Sequence, residues 1–261
     1  MDLLQLLTGK YDLYFLLFAR CAGLFSVAPV IGSRYVPAQL RIALAAALAL
    51  TLLPQAGLTA AGLPQSLPAY ALAVIGETLV GLAIGWVAQL IFAAAQLGGE
   101  LLDMQMGFGM VNVIDPQFGT QVPLIGNFQY MLAALVFLAV DGHHLLIRAL
   151  AASTKLLPVA GVGFSPQLAW FIVDNVQGLF VTAIKIVAPV LGAIFLTNVA
   201  LGLVARSMPQ MNVFVVGMPL QLAVGVLTLV VALPLYIAML EGTFAGLTRT
   251  LTDLLRLFGR G

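Results

Sequence analysis

The sequence has 261 residues, of which 62% are hydrophobic and 8% are charged. Soluble domains carry about 25% charged residues, so this chain has too little polar surface for water alone to solvate it. The net charge of +1 gives no support to a nucleic-acid partner, and the single cysteine, Cys21, cannot form an intramolecular disulfide. These properties indicate an all-α, multi-pass membrane protein.

The chain divides into long apolar segments that proline, glycine and charged residues separate. A membrane-spanning helix needs roughly 20 mostly apolar residues, and it tolerates proline where neighbours satisfy the freed carbonyl groups. We therefore predict about six long apolar helices arranged as hairpins. In chain order they cover 13–30, 41–53, 69–102, 124–140, 170–204 and 212–240.

The pattern changes after residue 240 and predicts a short amphipathic tail helix over 241–261. Apolar residues recur there at helical spacing, and charged residues occupy the other faces. We expect this tail to lie on the membrane surface or against a partner, within a single domain that covers 1–261. The apolar positions are Phe244, Leu247, Leu251, Leu254, Leu255 and Phe258.

Four charged residues, Arg20, Glu77, Asp174 and Lys185, fall inside apolar segments. A charge at the bilayer centre costs about 2.5–3.5 kcal/mol, so such residues usually face protein or water and pair with one another. One interpretation is an ion pathway, and the other is buried ion pairs that fix packing at subunit contacts. Their scattered positions favour the second interpretation.

Glycine motifs predict close approaches between helices. Gly81-x-x-x-Gly85 lies in the third predicted helix, and Gly242-x-x-x-Gly246 follows the sixth. Small residues at this spacing allow two helix backbones to come into contact. The motifs indicate dense helix packing and carry no information about a ligand.

The sequence contains no recognisable catalytic constellation. No serine lies in a Gly-x-Ser-x-Gly context, and neither a Walker A loop nor a dinucleotide-binding fingerprint occurs. His143 and His144 follow Asp141, but neighbouring side chains on a helix point about 100° apart, and no third histidine completes a metal site. We predict a polar helix end there, and no enzymatic activity, cofactor or metal.

The segment 98–123 combines methionine, phenylalanine and glycine with three acidic residues and no lysine or arginine. Methionine is flexible and glycine permits tight turns, so this segment is suited to sealing a pore as an apolar plug. A packed re-entrant loop is the alternative. The candidate plug residues are Met104, Met106, Gly107, Phe108, Gly109, Met110, Val111, Asn112, Asp115 and Pro116.

The segment 206–214 marks the predicted junction between the fifth and sixth helices. Proline ends the fifth helix, asparagine is suited to cap the sixth, and arginine and glutamine offer donors. An ordinary hairpin turn accounts for the pattern equally well. The candidate junction residues are Arg206, Pro209, Gln210, Met211 and Asn212.

Several of these motifs, in this order between residues 20 and 214, resemble the FliR/SctT family of export-gate subunits. That family serves the flagellar type III secretion apparatus and the virulence injectisomes, and the stretch PQMNVF favours the flagellar form. The motifs are Arg20 with SVAPVIG (26–32), VPAQLRIALA (36–45), GELLDMQMGFGM (99–110) followed by Asp115-Pro116, DGHHLLI (141–147), APV (188–190) and RSMPQMNVF (206–214).

The resemblance implies a location in the bacterial inner membrane, at the flagellar basal body. It implies one copy of this chain in a complex with FliP-like and FliQ-like membrane subunits, beside FlhA-like and FlhB-like export components. Unfolded flagellar proteins would pass through this gate during flagellum assembly, and other components would supply the energy. Many helices would be tilted hairpins that contact partner subunits and do not all cross the bilayer in the conventional way.

The resemblance also places the plug loop at about Met106–Asp115. We hypothesise that Met106, Phe108 and Met110 block the resting pore and withdraw when it opens. The alternative function is a stand-alone ion-coupled secondary transporter that uses Glu77, Asp174 and Lys185. A third reading is a membrane assembly scaffold with no conduit role.

Overall fold

The computed structural model describes residues 3–33, 35–55, 64, 66–108, 123–163, 165–210 and 212–259. Within these ranges the chain forms seven α-helices and no strand, which confirms the predicted all-α fold. A short 3-10 helix, Leu53–Gln55, follows the second of them. The helices are α1 (Leu3–Val27), α2 (Ala38–Leu52), α3 (Leu67–Gln105), α4 (Leu124–Ala139), α5 (Gly142–Leu156), α6 (Pro166–Ser207) and α7 (Val213–Phe258).

Among the described residues, four helical stretches are long and apolar enough to cross a membrane. They are α2 extended to Gln55, α3, α6 and most of α7. The pair α4 and α5 meets the same criteria only when taken together, and the chain bends by 65° between them. The multi-pass membrane fold is therefore confirmed, with four or five possible crossings where the sequence suggested about six long apolar helices.

The sequence pattern missed α5, Gly142–Leu156, because this helix is amphipathic and not uniformly apolar. Leu146 and Leu150 are buried on one face, whereas Arg148 and Lys155 are exposed on the other. A search for long uncharged segments passes over such a helix, since its polar face interrupts the apolar run.

The predicted separate tail helix over 241–261 is wrong, because α7 continues without a break from Val213 to Phe258. Beyond residue 240 the helix meets no proline, so nothing in the local sequence ends it. All six apolar positions predicted for the tail are buried inside the chain itself, and the Phe258 carbonyl accepts a hydrogen bond from the Gly163 N–H at 3.0 Å. The sequence pattern identified the apolar face correctly, but other parts of the same chain cover it.

The chain forms two compact units, to both of which α3, α6 and α7 contribute. That the whole chain acts as one export-gate domain stays a prediction. Unit 1 contains Met1–Leu90, Leu138–Val176 and Phe244–Gly261, and unit 2 contains Ile91–Phe137 and Gln177–Thr243.

In unit 1, α1 and α3 cross with their backbones in contact. A Cβ atom built on Gly81 would lie 2.0 Å from the Arg20 carbonyl oxygen, and one on Gly23 would lie 2.4 Å from the Thr78 carbonyl oxygen. Only glycine fits at such distances, as the Gly81-x-x-x-Gly85 motif predicted. By contrast, nothing described lies within 4 Å of a Cβ atom built on Gly242 or Gly246, so the second motif makes no close approach here.

In unit 2, α4 packs against the C-terminal half of α3. The Phe92 ring packs against those of Tyr130 and Phe137, at centroid distances of 5.5 and 5.4 Å. Further along α3, a Cβ atom on Gly99 would lie 2.5 Å from the Gly126 Cα atom. These contacts bring the end of α3 beside the start of α4.

We predict that Gly81→Ala destabilises the folded chain by about 1–3 kcal/mol or more, because the added methyl group meets backbone atoms that cannot rotate away. The matched control is Gly242→Ala, which adds the same group in open space and should raise helix stability by up to about 1 kcal/mol. Thermal unfolding of both purified variants in detergent measures the difference. Equal melting temperatures for the two variants would contradict the backbone contact.

Candidate functional site

The structure describes only the beginning of the predicted plug segment. Met104 is 72% exposed on the last turn of α3, whereas Met106 is 1% exposed, and Phe108 is half-buried. The remaining candidate plug residues lie outside the described part of the chain: Gly109, Met110, Val111, Asn112, Asp115 and Pro116. The structure therefore describes only the residues at the two ends of this segment.

Asp103 lies near the end of α3, just before this segment, and is 6% exposed. Its two carboxylate oxygens accept hydrogen bonds from backbone N–H groups in the first turn of α4, Ile125 at 2.9 Å and Gly126 at 3.0 Å. The first N–H groups of a helix have no partner inside the helix, and its N-terminus favours negative charge. Asp103 therefore caps α4 although it lies on α3, and the segment 107–122 separates the two helices in the sequence.

Another contact where the chain leaves α3 joins Met106 to α7. A Cβ atom on Gly225 would lie 2.8–2.9 Å from Cε, Cγ and Sδ of Met106. Because glycine has no side chain, the Met106 side chain fills the space beside it. The next residue, Gly107, has a φ of +86°, a conformation that glycine adopts without strain. The chain thus leaves α3 through a buried methionine and a glycine turn.

In unit 1, Arg20 of α1 and Glu77 of α3 form an ion pair with both side chains fully buried. Arg20 Nε lies 2.5 Å from Glu77 Oε2, and Arg20 Nη1 donates to Ser153 Oγ at 2.9 Å. Both terminal nitrogens of Arg20 also donate to the Leu157 carbonyl oxygen at 3.3 Å. On the other side, Glu77 Oε1 accepts the N–H of Ala160 at 2.8 Å.

Arg20 and Glu77 were predicted to lie at subunit contacts, and this ion pair inside the chain corrects that prediction. Arg20 and Glu77 satisfy each other inside the chain, and together they join α1 and α3 to the end of α5 and the segment that follows it. Ala160, which donates to Glu77, has a φ of 65° although it is not glycine. A non-glycine residue in this region is strained, so the hydrogen bond to Glu77 helps to hold the segment in that conformation.

Asp174 and Lys185, the other two charges within apolar segments, are both exposed on α6. The described residues offer neither of them an ion-pair partner. Exposure in this single chain does not test the expectation that both are buried at subunit contacts, which stays a prediction.

The helix junction lies within the predicted segment 206–214, since α6 ends at Ser207 and α7 begins at Val213. Arg206, Pro209, Gln210 and Asn212 are exposed, and Met211 lies outside the described residues. The Asn212 carbonyl oxygen accepts the N–H groups of Val215 and Val216 at 3.1 and 3.4 Å, which starts the helix. A role for these residues beyond the turn stays a prediction.

The two histidines lie closer together than their helical spacing suggested. Their ring centroids are 4.1 Å apart, and one ligand atom from each of Asp141, His143 and His144 lies within 4.8 Å of the others. Asp141 and His144 are exposed and bond to each other, with 3.1 Å between His144 Nδ1 and Asp141 Oδ1. This group forms the polar start of α5.

Three features of these sites escaped sequence reasoning. Asp103 counted only as part of an acidic segment, because it lies inside α3 and far before α4 in the sequence, where no local capping signal links it to that helix. Gly225 carries no local signal, because its role is to leave room for a residue distant in sequence. Ser153 carries no local signal either, yet its hydroxyl oxygen accepts a hydrogen bond from the buried Arg20 side chain.

We predict that Glu77→Ala destabilises the chain by about 3–5 kcal/mol, since it leaves the Arg20 guanidinium buried without its counter-charge. The double variant Arg20→Met/Glu77→Leu removes both charges at similar volume and should lose less stability than the single variant. Thermal unfolding in detergent compares the two. A double variant less stable than Glu77→Ala would show that the hydrogen bonds to Ser153, Leu157 and Ala160 outweigh charge pairing.

Comparisons with known proteins find relatives over most of this chain. The sequence profile of the family described as "Bacterial export proteins, family 1" matches residues 12–247. The chain is 38% identical over 255 residues to the flagellar biosynthetic protein FliR of Bacillus subtilis (strain 168), covering 95% of this chain and 96% of that protein. It is 31% identical to FliR of Escherichia coli (strain K12), with 94% and 93% covered.

A third relative, FliR of Caulobacter vibrioides, is 31% identical over 218 residues, covering 84% of this chain and 87% of that protein. The region that the family profile matches, residues 12–247, includes parts of both compact units. The chain belongs to bacterial export protein family 1, the family of the flagellar biosynthetic protein FliR.

Proposed function

We propose that this chain is a subunit of the inner-membrane export gate of the flagellar type III secretion system. With FliP-like and FliQ-like subunits it forms a gated conduit for unfolded flagellar proteins and is needed for flagellum assembly. The observation that carries this proposal is similarity over nearly the full length to proteins named flagellar biosynthetic protein FliR. No catalytic role is part of it.

The outer faces of α6 and α7 support the need for partner subunits. Many large apolar side chains of these helices are exposed, among them Phe180, Phe195 and Val231. Lipid alone would cover such a face, but Asp174 and Lys185 are exposed on α6 as well. Charged groups are costly against acyl chains, so partner subunits are the better neighbours for these two positions.

The plug function rests on the composition of 107–122 and on the geometry of its ends. Apolar constrictions close pores by excluding water, and methionine and phenylalanine provide such a surface. We assign Met106 to the base of this plug, because it is buried against Gly225. The blocking role then belongs to residues beyond it, Phe108 and Met110.

The stand-alone transporter is less well supported. That function requires Glu77 to take up and release an ion, and Glu77 is fully buried with both carboxylate oxygens bonded to Arg20 and Ala160. Co-expression with FliP-like and FliQ-like subunits, followed by mass measurement, separates the two functions. A gate subunit yields a large complex with one copy of this chain, whereas a transporter purifies alone and takes up solute in liposomes.

We predict that deleting residues 107–111 makes the assembled gate leak ions across the inner membrane, because the segment no longer reaches across the pore. The measurement is membrane conductance, or proton influx, in cells that contain the complete complex. Complex assembly, checked by co-purification of the FliP-like subunit, is the control. Unchanged permeability in a fully assembled gate would refute the plug, and it would leave the scaffold function in its place.

A further inference from the structure

Arg41, in the first turn of α2, is a half-buried arginine whose charge the described residues do not compensate. Solvent does not reach its Nε atom, yet these residues offer that atom no hydrogen-bond partner, and none of their carboxylates forms an ion pair with it. Arg20 is the opposite case, since Glu77 and Ser153 satisfy it inside the chain. Because a shielded, unpaired guanidinium loses solvation without compensation, Arg41 is suited to bind an anion from outside the chain.

Arg41 lines a cavity of about 220 Å³ between α1 and α2 in unit 1. This volume is below the roughly 300–1,000 Å³ of pockets that enclose a whole small molecule, so the cavity is suited to one small group of a larger ligand. Ser26, the other polar side chain in the wall, donates its hydroxyl hydrogen to the Gly23 carbonyl oxygen at 2.7 Å. Arg41 is therefore the side-chain donor that the cavity offers to an anion. The described lining residues are Ala22, Phe25, Ser26, Ala38, Arg41 and Ile42.

The beginning of α2 adds a second source of positive potential to the same cavity. Ala38, the first residue of the helix, lines the cavity together with Arg41. Pro37 precedes the helix, and no side chain caps it. The first N–H groups of a helix have no partner within it, and the helix dipole favours negative charge at this end. An anion in the cavity would thus meet the arginine side chain and the positive end of α2 together.

The position of the cavity along α2 indicates the source of the anion. With its extension to Gln55, α2 is long and apolar enough to cross a membrane, so its first turn lies at one end of the crossing. Leu40 and Ile42 are exposed on either side of Arg41. Tyr35, three residues before the helix, is 95% exposed, and tyrosine is enriched where a membrane meets water. Arg41 therefore lies at the level of lipid head groups, next to apolar side chains that suit acyl chains.

We infer that Arg41 and this cavity bind the phosphate group of an anionic phospholipid. A guanidinium forms two parallel hydrogen bonds to phosphate oxygens, and the acyl chains would lie outside the cavity along the exposed apolar side chains of α2. A carboxylate of a partner subunit would also supply the charge. The lipid is the better occupant, because a bilayer concentrates phosphate groups at the end of a helix that crosses it. This inference does not depend on the export-gate function.

The experiment titrates the full-length chain, freed of native lipid in a neutral detergent, with dioleoylphosphatidylglycerol and counts bound lipids by native mass spectrometry. Arg41→Gln should weaken binding of one lipid roughly tenfold or more, because charge-assisted hydrogen bonds are lost. Arg41→Lys keeps the charge without the planar fork and should fall between the two. The matched control is Arg148→Gln, which removes the same charge from an exposed position on α5 and should bind as the wild type does.

A second variant, Ala38→Leu, fills the cavity and leaves the charge in place. Ala38 is exposed and leucine is a good helix former, so the variant should fold even if Arg41→Gln does not. The added side chain occupies space that the head group needs, so Ala38→Leu should also weaken binding of one lipid. Equal lipid binding by the wild type and Ala38→Leu would overturn the inference, as would equal binding by the wild type and a folded Arg41→Gln.

Three further measurements identify the occupant. The zwitterionic dioleoylphosphatidylcholine should bind more weakly, and binding equal to that of dioleoylphosphatidylglycerol would refute a site for anionic lipid. Inorganic phosphate that raises the melting temperature as much as the lipid does, and only when Arg41 is present, would assign the cavity to a free anion instead. Loss of co-purification with FliP-like and FliQ-like subunits in Arg41→Gln, with unchanged lipid binding, would assign Arg41 to a partner carboxylate and overturn the inference.

Discussion

The buried pair of Arg20 and Glu77 is the interaction on which unit 1 depends. Two charges removed from water are tolerable only when they neutralise each other and when their remaining hydrogen-bonding atoms find partners. Both conditions are met, since Ser153, Leu157 and Ala160 occupy the other positions around the pair. The pair therefore fixes α1, α3 and the end of α5 in one arrangement. In an apolar chain that has few directional contacts, such a polar centre selects one packing among many of similar apolar area.

Close backbone contact is the second constraint, and glycine makes it possible. Lipid is as apolar as leucine, so helices in a membrane gain little from burying apolar side chains against each other, and association depends on close packing and hydrogen bonds. Gly81 brings α1 onto α3 in unit 1, and Gly99 with Gly126 brings α3 onto α4 in unit 2. In unit 2 the contact also places Asp103 beside the first N–H groups of α4, so hydrogen bonds join the helices on either side of the segment 107–122.

The sequence pattern predicted the all-α membrane fold and most helix bounds within a few residues, because long uncharged segments have few other stable conformations. It failed where a helix is amphipathic, as in α5, and where a change of composition does not end a helix, as in α7 beyond residue 240. The apolar face from Phe244 to Phe258 was identified, but its partner was not, since an amphipathic face packs equally well on a membrane, a neighbouring subunit or the chain itself.

The candidate site divides in the same way. Residue types alone determined that the chain is apolar, that the Met/Phe/Gly segment is unusual, and that the charges at 20 and 77 need compensation. Only the tertiary structure decided that these two charges compensate each other, that Asp174 and Lys185 are exposed, and that Met106 packs on Gly225. It also decided that Asp103 bonds to the first turn of α4. The physical reason is range: propensity and hydropathy act over a few residues, whereas ion pairs, caps and glycine contacts join positions that lie far apart in the chain.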